Sequence, residues 1–124
     1  MKQKTNIINK SKNTKNTTNK GNYFETKACE YLVTNNFIII ERNYFAKKIG
    51  EIDIIAFKDN TYHFVEVKSG EDFEAIYNIT PQKLYKLFKS IDYYLKVKNL
   101  DVAYCVDAII FAGEELEYLE NITL

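Results

Sequence analysis

Glycine and proline are scarce in this sequence of 124 residues, with four of the first and one of the second. That scarcity excludes collagen-like repeats and Pro-rich low-complexity chains. Tryptophan is absent, and there is one histidine. The two cysteines, Cys29 and Cys105, lie far apart in apolar stretches. They lack the close spacing and histidine-rich context of a zinc site, so they read as reduced core residues. No apolar run approaches the ~18 residues of a membrane span. Phe37-Ile38-Ile39-Ile40, for example, is a strand-sized segment. A signal-peptide apolar segment is also missing, and a reducing, cytoplasmic setting is the expectation.

Acid is missing from one place only. Residues 1–20 hold six lysines and no Asp or Glu, so the other 11 basic residues and all 17 acids fall in residues 21–124. The neutral total therefore joins a cationic segment to a body of charge −6 (11 minus 17). Residues 1–20 have almost nothing to bury and read as a disordered basic tail. Residues 21–124 read as one domain, since about 100 residues suffice for one core and not two. With 46% apolar and 15% aromatic residues overall, the body is too hydrophobic to stay disordered.

Periodicity supplies the elements. Phe24, Ala28, Tyr31 and Leu32 are spaced as one helical face, predicting a helix from Asn22 to about Asn35. Strands are predicted over Phe37–Phe45, Glu51–Phe57 and Thr61–Lys68, the last two joined by a hairpin turn at Lys58-Asp59-Asn60. Ser69–Ile79 is acidic and aperiodic and reads as a loop. Thr80-Pro81 is an N-cap followed by proline at the first helical position. Behind it Leu84, Leu87, Phe88, Ile91, Tyr94 and Leu95 form an apolar stripe running to about Lys98. Val102–Phe111 and Leu116–Ile122 close the chain as strands. The order αβββαββ predicts an α/β fold, a mixed sheet with helices packed on it.

Strand alternation places Glu51 and Asp53 on one face of the second strand, opposite Ile52, Ile54 and Ala56. It places Phe64, Glu66 and Lys68 on one face of the third, opposite Val65 and Val67. Adjacent strands would bring carboxylates and an ammonium together. Such carboxylates can hold a hard cation such as Mg²⁺, and a nearby lysine can neutralise charge developing on a phosphate. Cross-strand salt bridging on a wet sheet face is the other reading. Ile55, Phe57, Tyr62 and Phe64 surround the charges with apolar groups, which favours the first. Glu25 lies on the apolar stripe of the first helix, where it either joins this cluster or favours the helix dipole. Lys83, Lys86 and Lys89 recur along the second helix, as phosphate contacts or as a solvated face. The lysine tail is a second nucleic-acid candidate. His63 falls opposite Glu66 by parity and reads as structural or exposed.

Gly21-x-x-x-Glu25-x-x-Ala28, Arg42-Asn43, Gly50-Glu51-Ile52-Asp53 and Phe64-Val65-Glu66-Val67-Lys68, in this order and spacing, resemble the YraN family. That bacterial family is similar to archaeal Holliday-junction resolvases, within the restriction-endonuclease-like PD-(D/E)xK superfamily. The resemblance spans residues 21 to about 111. It implies the superfamily's αβββαβ core, here with an extra C-terminal strand. It implies a catalytic set of Glu25, Asp53, Glu66 and Lys68, with Mg²⁺ or Mn²⁺ held by Asp53, Glu66 and the carbonyl of Val67. Lys83 matches a basic position at the start of the second core helix. Asp107 matches a family aspartate and receives no catalytic role. Resolvase-like proteins work as dimers, so a homodimer is also implied. Two features depart from the pattern. Ser69-Gly70-Glu71-Asp72 follows the lysine where an arginine is frequent, and the body is acidic where the family is commonly basic. The expected function is metal-dependent endonuclease-like hydrolysis of DNA, branched or single-stranded. The alternative is a non-catalytic nucleic-acid-binding or protein-interaction module that keeps the nuclease fold.

Overall fold

The computed structural model describes residues 12–123. In chain order come α1 (Lys12–Thr34), β1 (Ile38–Ala46), β2 (Gly50–Lys58), β3 (Thr61–Gly70), a short 3-10 helix (Phe73–Asn78), α2 (Pro81–Val97), β4 (Tyr104–Ala112) and β5 (Glu115–Leu119). The sheet runs β1-β2-β3-β4-β5. The first three strands form an antiparallel meander, β3 and β4 pair parallel through α2, and β5 returns antiparallel. This is the expected αβββαβ core with one further strand on a mixed sheet.

Each face of the sheet is covered by one helix. Ala28 and Leu32 of α1 pack on Ile54, Ala56, Val65, Ile109 and Phe111. Leu87, Ile91 and Tyr94 of α2 pack on Ile52, Ile55, Phe64 and Val106. Consecutive residues Phe64 and Val65 thus point to opposite layers, as a pleated strand requires. Burying the α2 stripe contributes roughly 1.5–3 kcal/mol per large side chain before entropy is counted.

Both helices end alike. Asn36 takes φ 72° and Asn99 takes φ 56°, in the left-handed region. Behind them Phe37 N–H donates to Leu32 O and Leu100 N–H to Leu95 O, the six-residue closure of a Schellman motif. The hairpin turn between β2 and β3 uses Asp59 and Asn60, with φ of 52° and 62°, matching the right-handed twist of the strands.

Two elements differ from expectation. Helix α1 begins at Lys12, ten residues before Asn22. Of the segment read as a disordered tail, residues 12–20 carry helical backbone and residues 1–11 lie outside the described residues. Lys12–Lys20 contains no apolar residue, so no hydrophobic period could mark the helix there. The segment Ser69–Ile79, read as a loop, contains the 3-10 helix, capped by Asp72, whose Oδ1 accepts from Glu74 N–H at 2.9 Å. Phe73, Ile76 and Ile79 recur every three residues and pack beside Ala108 and Ile110. That is the 3-10 period, and a search at 3.6 misses it.

Candidate metal centre

The β2–β3 ladder pairs Lys58 with Thr61 and continues to Ile54 with Val65, where it stops. Asp53 and Glu66 are the next residue on each strand, just beyond the last rung. The Asp53 side chain then replaces the ladder, since its Oδ2 accepts the Val67 N–H at 2.9 Å. On the other side, β1 pairs Arg42 with Ile54 and Tyr44 with Ile52, passing over Asn43 and Asp53. Asn43 there has φ 54°. The β1–β2 register is the same on both sides of this pair, and it shifts between Ile39 and Glu41. Ile54 packs under α1, but Ile52 packs under α2. The expected common face for Ile52, Ile54 and Ala56 therefore fails at Ile52, beyond the last β2–β3 rung, because a period of two holds only along an unbroken ladder.

The parted strands form a notch that collects carboxylates. Burial pushes the Asp53 carboxyl up to about 8, with Glu66 next in effect and Glu25 and Glu51 adding, against the Val67 N–H, which pulls it down. Glu66 is also raised, chiefly by burial, although Lys68 and Lys83 act to lower it. Glu51 is raised by burial, then by Glu25 and Glu66. Four acids from three elements thus share one field. Lys68 Nζ lies 3.4 Å from Glu66 Oε2. Arg42 Nη2 lies 3.7 Å from Glu25 Oε1, too far for a hydrogen bond. Glu25 Oε1 and Arg42 Nε are buried without hydrogen-bond partners.

Lys68 pairs with Glu66, and Glu25 acts through space on both Asp53 and Glu66, but among the described residues these acids do not bring three ligand atoms within 4.8 Å of one another. The Val67 N–H donates to Asp53 Oδ2. Lys83 and Lys86 line a small cleft of about 170 Å³ with Glu51, Glu66, Gly50 and Ser90. Lys89 stands one turn further along, 5.6 Å from the Tyr85 ring centroid. Gly50 has a packing reason: a Cβ there would stand 3.0 Å from Ser90 Oγ, so α2 crosses β2 closely at this point.

A second cluster was not anticipated. His63, Cys105 and Asp107 gather on the α1 face, beside a cavity of about 530 Å³ that is larger than the cleft at the acids. His63 is opposite Glu66, as parity predicts, but it is buried at 5% exposure and bonded to Asp107. Parallel pairing of His63 with Cys105 creates the grouping. Sequence spacing alone carries no signal for that register.

Among the described residues, no helix is long and apolar enough to cross a membrane. Residues 24–111 match the model of the uncharacterised protein family UPF0102. A UPF0102 protein of Helicobacter hepaticus is 55% identical over 109 residues, covering 88% of this chain and 98% of its own. One from Sulfurovum sp. is 54% identical over 105 residues, covering 84% and 93%. Another, from Aliarcobacter butzleri, is 51% identical over 106 residues, covering 85% and 96%.

Proposed function

Because the chain belongs to UPF0102, the YraN family, and because its acids converge where β2 leaves β3, we propose that it is a metal-dependent endonuclease-like protein acting on nucleic acid. The carrying observation is the burial of the Asp53 and Glu66 carboxyls beside Glu25 and Glu51, which raises both although Lys68 and Lys83 oppose it at Glu66. Burial of that much like charge is costly unless a cation joins it. The donor set is all oxygen, which suits a hard ion such as Mg²⁺ or Mn²⁺ and not a thiophilic one. Glu25 Oε1, buried and unpartnered, is a lone pair of the kind such an ion would use.

Asp53 and Glu66 would hold the ion. Bound there, it supplies Lewis-acid stabilisation of a phosphate's developing charge. The Val67 N–H fixes the Asp53 carboxylate, which fits a ligand that must not swing. Lys68, on the same strand face as Glu66, is the group to orient water or neutralise the phosphate. Lys83 and Lys86, at the mouth of the cleft, are set to contact the phosphate backbone. DNA, branched or single-stranded, is the substrate expected.

A Mn²⁺-dependent cleavage panel on single-stranded, duplex, flap and four-way DNA tests this. Lys68→Ala should lower the rate about 100-fold or more, and calorimetry should detect Mn²⁺ binding that Asp53→Asn removes. Metal binding without cleavage of any substrate would favour the non-catalytic nucleic-acid-binding module. Absence of both would end the nuclease reading.

A further inference from the structure

The sheet face opposite the notch carries a different set of donors. His63 on β3 pairs with Cys105 on β4, and Asp107 follows two residues later on the same strand. Their ligand atoms all lie within 4.8 Å of one another. Cys105 Sγ is 3.2 Å from His63 Nδ1, which is 2.6 Å from Asp107 Oδ2. We propose that His63, Cys105 and Asp107 form a second metal site, for a Zn²⁺-class transition ion, with its fourth position open to the neighbouring cavity.

The donor set is the first argument. One imidazole, one thiol and one carboxylate make an N, S, O combination that selects borderline-soft ions over Mg²⁺. Distance is the second. Tetrahedral Zn²⁺ bonds imply donor separations of roughly 3.3–3.6 Å. The sulfur–nitrogen separation is near that already, and the Nδ1–Oδ2 pair need only open by about 0.7 Å as the ion takes the place of the shared proton. Support around the ligands is the third. Tyr118 OH donates to Asp107 Oδ2 at 2.6 Å and Asn121 N–H to Oδ1 at 2.9 Å. The Phe37 ring packs edge-on against His63 with centroids 5.0 Å apart. Ligands oriented from outside in this way are typical of metal centres. Access is the fourth, since His63 and Cys105 line the cavity of about 530 Å³ together with Glu120.

A closed hydrogen-bond network would explain Asp107 and one ring nitrogen. The thiol also takes part in that network, and the metal reading rests on its joining the imidazole and the carboxylate as a third donor at the edge of a cavity. On binding, the Cys105 thiol gives its proton to solvent, and the neutral imidazole carries its one proton on Nε2. The Nδ1 lone pair then faces the ion. Glu120 or water fills the remaining position.

Cobalt is the probe that separates this site from the carboxylate notch, because only a sulfur ligand gives a thiolate-to-cobalt charge-transfer band. The full chain, reduced and stripped with a chelator, is titrated with Co²⁺ and then Zn²⁺. The expected result is that band, displaced by Zn²⁺, with tetrahedral visible absorption. Cys105→Ser should lose the band and keep its far-UV circular dichroism. Cys29→Ser and Asp53→Asn should retain it, and His63→Gln should weaken Co²⁺ binding at least about 10-fold. Absence of the band in the unaltered chain, or its survival in Cys105→Ser, would overturn the proposal. Neither result bears on cleavage at the notch.

Discussion

Asp53 bears two opposed demands. Its carboxyl must stay near Glu66 and Glu51, yet burial and those neighbours push it from 3.8 up to about 8. Between those values the folded chain keeps a proton that the unfolded chain has released. Its stabilising effect is therefore fully present below about pH 4 and is lost as pH rises toward 8. Glu51 and Glu66, also raised, act in the same direction. We expect the melting temperature of the metal-free chain to fall between about pH 5 and about pH 8, and Mg²⁺ to reverse the loss at the upper end. Asp53→Asn keeps an acceptor for the Val67 N–H and removes the charge. It should raise metal-free stability at pH 8 by about 1–3 kcal/mol while abolishing the response to Mg²⁺, both read by thermal denaturation. Much of this was legible beforehand. A two-residue turn at Asp59-Asn60 fixes the hairpin register, so Asp53 must stand near Glu66. The face of Ile52 was not legible, because the end of the β2–β3 ladder at Ile54 leaves no hydropathy signature.

Asparagine does at the element ends what glycine usually does. Among the described residues, five of the seven non-glycine residues with positive φ are asparagines, at 36, 43, 60, 99 and 121. Their short polar side chains tolerate the left-handed region, and few glycines are then needed. Asn36→Val and Asn99→Val should each cost about 1–2 kcal/mol in urea denaturation by straining the Schellman closures. The stripe of α2 and its Thr80 cap were plain in the sequence, because capping and a 3.6 period are local properties. How closely α2 approaches β2 is not local. Gly50→Ala should cost about 1–3 kcal/mol, since the buried Ser90 Oγ, bonded to Lys86 O, must shift to admit the Cβ. The same change should displace Lys83 and Lys86 from the notch, lowering nucleic-acid affinity beyond what the stability loss explains.

Charge divides the whole molecule. An acidic body would repel a polyanion, and residues 1–20 carry six lysines unopposed. Deleting residues 1–20 should reduce the salt dependence of single-stranded DNA binding by up to about 4 in the log–log slope, near 0.7 per lysine engaged. Fluorescence anisotropy across a salt series measures it, and an unchanged slope would assign the affinity to α2 instead. The parallel β3–β4 register, which the sequence leaves open, sets another division, in time. Asp53 and Val67 are 14 residues apart within one tight hairpin. His63 and Asp107 are 44 apart and wait for α2 to cross over. Closing the longer loop costs about 1 kcal/mol more in chain entropy, and parallel pairing is slow to form. A nascent chain emerging from the ribosome would thus hold its carboxylate notch in outline while β4 was still unmade, and the histidine–cysteine face would be the last part of the sheet to exist.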